Sequence, residues 1–199
     1  MTRQLRDPAA RQRIVDAALR LVAQHGVPAA TMRGIALEAG VSTGAVTHYF
    51  EDKAEVMAAV LHANTSLIAR RIATAVEGKQ SLAAVEAVAE ALLPVDDEML
   101  ECWTVLISFW GHPAARRFVV DEGTSLGFAA IRRFMITLLQ QAADSGELPA
   151  GVDVEHEAER ILALVGGVGL MAGGFQQERE PTRRRARRML TELIADMRV

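Results

Sequence analysis

The stretch TMRGIALEAGVSTGAVTHYFEDK, residues 31 to 53, decides the fold. Thr31 can cap free backbone N–H groups, and behind it Met32, Ile35, Ala36 and Ala39 recur on one helical face. Gly40 ends this short helix, because glycine tolerates the left-handed conformation of a helix stop. Val41 can plug the turn and Ser42 is a second N-cap, so another short helix runs from about Thr43 to Phe50. That helix is small and polar on one side, at Thr43, Gly44, Thr47 and His48, while Val46 and Phe50 point back into the domain. Two short helices around a tight turn are the layout of a helix-turn-helix, whose second helix reads base edges in the DNA major groove.

In Gly40-Val41-Ser42-x-Gly44-x-Val46-x-x-Tyr49-Phe50-x-x-Lys53 the chain resembles the tetracycline-repressor (TetR) family at family spacing. Thr47 departs from the pattern, since many relatives carry Tyr there. The resemblance implies a DNA-binding transcriptional regulator, a repressor acting as a homodimer on a palindromic operator and released by a small-molecule effector. Carried over position by position, it implies base contacts from Thr43, Gly44, Thr47 and His48. Phosphate contacts would come from Thr31, Arg33, Ser42, Tyr49 and Lys53.

Charge is divided in a way that suits this reading. The whole chain carries −3, yet residues 1–50 hold six arginines against Asp7, Asp16 and Glu38, a net +3 that leaves −6 for the remainder. Positive charge beside the motif favours phosphate contact and counterion release, whereas the acidic remainder should face away from DNA. With 199 residues, half of them hydrophobic, the chain can build a small N-terminal unit and a larger bundle with its own core.

Outside the motif the pattern is helical, with about nine helices expected and no convincing strand. The first opens at Asp7-Pro8, carries the stripe Ile14, Ala17, Ala18, Leu21 and Val22, and stops at Gly26. Asp52-Lys53-Ala54-Glu55 has the form of a capping box and starts a long helix to about Glu77, closed by Gly78. Further helices are expected over residues 81–92, from the Asp96-Asp97 cap to Trp110, over 114–145, over 154–174 and over 181–197. The expected organisation is a DNA-binding domain over 1–51 and a ligand-binding and dimerisation domain over 52–199, with 52–77 as the connecting helix. This second part resembles the choline-responsive repressor branch of the same family, around Trp103 to Pro113 and in the Gly146-Glu147-Leu148 to Asp153 turn.

Within it, Met99, Cys102, Trp103, Leu106 and Trp110 share one helix face, which reads as core or as ligand wall. Tryptophan rings attract cations, so Trp103 and Trp110 suit a quaternary ammonium or an aromatic drug. With the family resemblance, the effector pocket is expected among His62, Asn64, Ile68, Val88, Met99, Cys102, Trp103, Leu106, Trp110, Phe128 and Met135. Gly166, Gly169 and Gly173 would let helices of two subunits approach closely, with Leu190, Leu193 and Met197 adding apolar surface to the dimer interface. The five arginines between 183 and 188 read as a solvated or interface face partnered by Glu178, Glu180 and Glu192.

Other classes fit less well. The five histidines lack metal-ligand spacing and no cysteine joins them, so neither a metal nor a cofactor is expected, and no catalytic constellation stands out. Gly167-Val168-Gly169-Leu170-Met171-Ala172 matches a dinucleotide fingerprint in spacing but lacks the preceding strand and the chain for a parallel sheet. A dimer without effector, or one controlled by a protein partner, remains an alternative. Cys102 is the single cysteine, the longest uncharged apolar run, Ile161 to Phe175, has 15 residues, and no signal core is visible, so a cytoplasmic protein with no membrane partner is expected.

Overall fold

A computed structural model describes residues 7–111, 124–174 and 179–198. Among these residues there are nine helices and no strand. They are α1 (Pro8–Ala29), α2 (Met32–Glu38), α3 (Thr43–Tyr49), α4 (Lys53–Ala75), α5 (Ser81–Leu92), α6 (Asp97–Trp110), α7 (Thr124–Asp144), α8 (Val154–Gly174) and α9 (Arg179–Asp196). The expected start of a helix at Ala114 and the partner Glu178 lie outside the described residues. Two compact units are formed, one within Met1–Thr65 and Val105–Ser125, the other within Ser66–Thr104 and Leu126–Val199. Helices α4 and α6 contribute residues to both.

In the first unit α2 packs on α1 and on α3. Of the α1 stripe read from the sequence, Ile14, Ala17, Ala18 and Val22 are buried and Leu21 is half-buried; Val15 is buried as well, together with Ile35 and Ala36 of α2, Val46 of α3 and Phe50 behind it. Gly26, at φ 76°, interrupts α1 where the helix was expected to stop, and one further turn carrying Pro28 follows. Arg20 reaches across to Glu38 of α2 at 2.8 Å. Most of the remaining joints are made by local caps. Asp7 accepts from Ala9 N–H, Asp52 from Glu55 N–H at 2.9 Å, and the Glu55 carboxylate reaches back to the N–H of Glu51 at 2.7 Å. The capping box therefore closes one residue earlier than its usual form, on Glu51 and not on Asp52.

In the second unit α5, α8 and α9 pack on one another. Leu82, Val85, Val88 and Leu92 of α5 are buried with Ile161, Leu162, Val165 and Val168 of α8 and Ala186, Leu190 and Ile194 of α9. Because Ile161 to Val165 is helix, the dinucleotide-fingerprint alternative loses the strand it requires. Buried Trp103 joins three elements. It sits on α6, its indole N–H donates to the Leu92 carbonyl at 2.9 Å, and its ring lies over Gly169 of α8 so closely that a Cβ there would be 2.2 Å from a ring carbon.

That contact bears on the dimer expectation. Gly169 is a site of close helix approach, but its neighbour is Trp103 of the same chain. Leu190 and Met197 are likewise buried within the chain. Amphipathic spacing marks an apolar face without saying which partner covers it. The large apolar side chains that α8 and α9 leave exposed are Leu170, Met171 and Met189, and among the described residues nothing lies within 4 Å of where a Cβ of Gly166 or Gly167 would stand.

Ion pairs finish this unit. Arg183 meets Asp97 at 2.9 Å and Glu180 at 3.1 Å, Arg187 meets Glu90 at 3.2 Å, and Arg188 meets Glu192 at 2.7 Å, so much of the α9 arginine cluster is answered by carboxylates of the same unit. Asp96 caps α6 through Met99 N–H and pairs with Arg71, which also reaches Glu98. Burial raises the Asp96 pKa, but the Met99 N–H and the Arg71 guanidinium outweigh it and hold the carboxyl below its ordinary 3.8.

Two outcomes are expected. Gly169→Ala should destabilise the protein by roughly 1–3 kcal/mol, because an indole ring locked by its own hydrogen bond cannot yield to the new methyl; chemical denaturation measures this. Since the folded pKa of Asp96 is depressed, its contribution is complete above the unfolded value near 3.8 and is lost as pH falls through the folded value. Asp96→Asn should therefore lower the midpoint of thermal unfolding at pH 7, with a difference from wild type that shrinks on acidification below about pH 4.

Candidate DNA-binding surface and effector unit

The turn between α2 and α3 is built by backbone chemistry that the sequence encodes locally. Thr31 Oγ1 accepts from Gly34 N–H at 3.0 Å, and the helix it opens ends in a paired closure in which Gly40 N–H donates to Leu37 and Val41 N–H to Ala36. Gly40 has φ 67°, a left-handed conformation costly for any residue with a Cβ. Ser42 Oγ then accepts from Ala45 N–H at 3.1 Å and starts α3. Each end of the turn is thus satisfied before any tertiary contact is made.

On α3, Thr43, Gly44, Thr47 and His48 are exposed and Val46 is fully buried, so the polar side faces solvent as a groove-reading helix requires. The Thr47 hydroxyl donates to the Gly44 carbonyl at 3.1 Å, which uses its single hydrogen and leaves its oxygen as an acceptor. His48 meets the half-buried Tyr49 edge to face, with ring centroids 5.1 Å apart. Of the expected phosphate-contacting set, Thr31, Arg33 and Ser42 are exposed and Tyr49 and Lys53 are half-buried. Thr31 and Ser42 already serve as caps. Lys53 Nζ donates to the Val27 carbonyl at 2.8 Å, and partial burial lowers its pKa.

Three contacts of this unit were absent from the sequence reading: Lys53 with Val27, Arg20 with Glu38, and the Arg11 guanidinium 4.7 Å over the Phe50 ring. They join residues 18 to 39 positions apart, and no local pattern announces them.

The expected pocket residues divide between the units. In the second, Ile68, Val88, Met99, Cys102, Trp103 and Met135 are buried, while Phe128 is exposed. Burial, with Glu98 and Glu101 nearby, pushes the Cys102 thiol up to about 12, so it stays protonated and behaves as a small apolar side chain. In the first unit Asn64 and Leu106 are buried, and His62 and Trp110 are exposed. The second unit also carries an open cleft of about 770 Å³ lined by different residues. Its lining is apolar at Leu67, Ala75, Ala83 and Ala87 and charged at Arg70, Arg71, Glu86 and Glu90. No metal-holding cluster occurs among the described residues. No helix among them is long and apolar enough to cross a membrane.

A helix-turn-helix with an exposed polar reading face narrows the protein to a DNA-binding regulator, and comparison with known proteins identifies which kind. Residues 14–60 match the family of bacterial regulatory proteins of the tetR type, and residues 81–199 match the C-terminal domain of BetI-type transcriptional repressors. The chain belongs to the TetR family. It is a DNA-binding transcriptional regulator of the repressor type.

Among its relatives, the transcriptional regulator BetI of Burkholderia ambifaria is 31% identical over 175 residues, covering 82% of this chain and 84% of that one. PksA of Bacillus subtilis is 29% identical over 175 residues, covering 86% and 82%. The same fold occurs in a TetR transcription regulator from Haloarcula marismortui, with a TM-score of 0.82 and 20% identity over 97% of this chain and all of that one. It occurs also in a transcriptional regulator from Saccharomonospora viridis in complex with choline, with a TM-score of 0.81 and 21% identity over 95% and 97%. Proteins of this family bind operator DNA and small-molecule effectors and act as regulators, not enzymes.

Ser42→Ala should cost about 1 kcal/mol of stability through loss of the α3 cap, within the ~0.5–2 kcal/mol range of such changes. Ser42→Gly should cost only a few tenths. Thermal unfolding of the two variants side by side checks the cap, and an equal loss in both would assign the cost to something else.

Proposed function

We propose that two copies of this chain bind an inverted-repeat operator and that an effector taken up by the second unit releases them. The observation that carries the DNA half is the α3 face. Thr43, Gly44, Thr47 and His48 are presented on a helix whose turn and caps are already complete, so its polar groups are free of duties in the core. In a two-fold dimer the two α3 helices enter major grooves about 34 to 36 Å apart or a multiple of that, which makes the operator palindromic. Thr31, Arg33, Ser42 and Lys53 beside α3, with Tyr49 at its end, fix its register on the phosphates. The cytoplasm is where such an operator would be met.

Selection of bound sequences from a random library tests this. An inverted repeat should emerge, and Thr47→Ala should relax preference at one position of each half-site. Because Thr47 offers the DNA an acceptor, the favoured base there should present an exocyclic amino group, adenine or cytosine. Arg33→Gln should weaken binding to every sequence and flatten the salt dependence by about 0.9 per lost phosphate contact, or about 1.8 for a dimer. A library that yields no repeat removes the palindromic reading.

For dimerisation we place the interface on the solvent face of α8 and α9, at Leu170, Met171 and Met189 with Gly166, Gly173 and Leu193. Leu170, Met171 and Met189 are about half exposed, and large apolar side chains left exposed on two packed helices are what a partner helix would cover. Met171→Glu should shift the protein to monomer in sedimentation at low micromolar concentration and weaken operator binding in parallel.

The effector site is proposed among the buried residues Ile68, Val88, Met99, Cys102, Trp103 and Met135 of the second unit. Its relatives supply the first compound to try: choline, the ligand in the Saccharomonospora viridis structure. An effector regulates only if it prefers the dimer geometry that no longer fits the operator. Choline that raises the unfolding temperature and releases operator supports the site, most directly if Met99→Ala blocks both effects. Neither effect at millimolar choline, with release by an unrelated compound, would give the effector a different chemistry.

A further inference from the structure

Arg11, in the first turn of α1, holds its guanidinium carbon 4.7 Å from the centre of the ring of Phe50, the residue that ends α3. The Phe50 ring is fixed in the core, only 1% exposed, while Arg11 is exposed. A cation over an aromatic face is attracted by the ring's charge distribution, which consumes none of its N–H groups. No carboxylate takes them either. Among the described residues the Arg11 side chain makes no hydrogen bond and no ion pair, whereas Arg20 on the same helix is bound to Glu38, and Arg183, Arg187 and Arg188 of α9 are bound to carboxylates. The guanidinium is therefore placed by the core and keeps its five N–H donors without an acceptor from those residues. Phe50 itself stands between Tyr49 and Lys53, two of the expected phosphate contacts.

We propose that Arg11 is a further phosphate contact of the operator complex, held over the end of α3 by the Phe50 ring. This rests on α3 being the reading helix. An apolar side chain would cover the ring as well, so the exposed, unpaired charge serves something beyond the cover. A guanidinium presents its N–H groups as a planar fork that matches two phosphate oxygens, and holding it beforehand reduces the side-chain freedom lost on binding. The contact releases counterions whatever the base sequence, so Arg11 adds affinity and carries no base preference. It also bears on register. Phe50 N–H donates to the Val46 carbonyl at 3.0 Å, so ring and helix move together, and a phosphate held by Arg11 is held at a fixed distance from the reading face.

The test compares wild type with Arg11→Met, which keeps a cover on the ring without the charge. Arg11→Gln stands in if Arg11→Met does not fold by circular dichroism. Affinity for the selected operator is measured over a range of salt. The variant's salt slope should be flatter by about 0.9 per copy, or about 1.8 for a dimer, so that its deficit against wild type is about tenfold larger at 50 mM than at 200 mM salt. The sequence it selects from a random library should not change. The operator is then scanned with single methylphosphonate links, each of which removes one backbone charge. One position in each half-site should weaken wild type and leave the variant unaffected, as a double-mutant cycle between contacting groups requires. A folded variant with the wild-type slope would make Arg11 a cover for Phe50 alone and overturn the proposal. A flatter slope with no phosphate coupled to residue 11 would reduce its effect to net charge, and a changed selected sequence would make it a reader of bases; either result overturns it as well. A wild-type protein that selects no operator would remove the reading of α3 itself, whereas an operator with no coupled phosphate removes this inference alone.

Discussion

A seven-residue helix has no stability of its own in water, because forming its first turn fixes several residues for a single hydrogen bond. Both α2 and α3 are of this length, and the DNA-reading surface depends on their being held anyway. The chain manages this by leaving almost no helix end unsatisfied. Thr31 and Ser42 cap the two starts, the Gly40 and Val41 N–H groups close the end of α2, and Phe50 N–H returns to Val46. Val46, Ile35 and Phe50 then anchor the pair in the core of the first unit. The arrangement leaves the polar side chains of α3 without structural duties, apart from the Thr47 hydroxyl, which is committed to Gly44.

The second unit depends on a different economy of space. Trp103 delivers a large apolar surface to the core, but its indole N–H must find an acceptor when buried, and the Leu92 carbonyl at the end of α5 provides it. That bond sets the ring against α8, where only a residue without a side chain fits, at Gly169. A tryptophan committed on its edge to a carbonyl and on its face to a backbone is rigid, which bears on effector binding: the face over Gly169 is closed to a cation, and Trp103 offers a ligand only what remains. Arg71 is similarly committed, divided between Asp96 and Glu98 while its buried Nε has no hydrogen-bond partner among the described residues. Its guanidinium therefore depends on both carboxylates, and the cap of α6 and the ion pair stand or fall together through Asp96.

Charge separates the two functions of the chain. Beside the motif Arg33 is exposed, whereas many arginines of α9 are matched to carboxylates of their own unit and leave less free charge there than their number suggests. An excess of arginine in the sequence is thus no measure of nucleic-acid affinity until its partners are known.

What the sequence by itself determined is what neighbours along the chain can enforce. The Gly40-Val41-Ser42 turn, the caps at Thr31, Asp52 and Asp96, and the helical periodicities act over five residues or fewer, so element order and the DNA-reading motif, together with the TetR family membership that the motif carries, were legible before any coordinates. Only the tertiary structure decided what meets across distance. It placed Lys53 on Val27, put the Trp103 ring on Gly169, and buried Leu190 and Met197 within the chain. The reason is physical: a periodic apolar stripe or a small residue specifies that a face is to be covered, and burial is satisfied equally by any apolar surface, so which surface covers it follows from the packing of the whole unit.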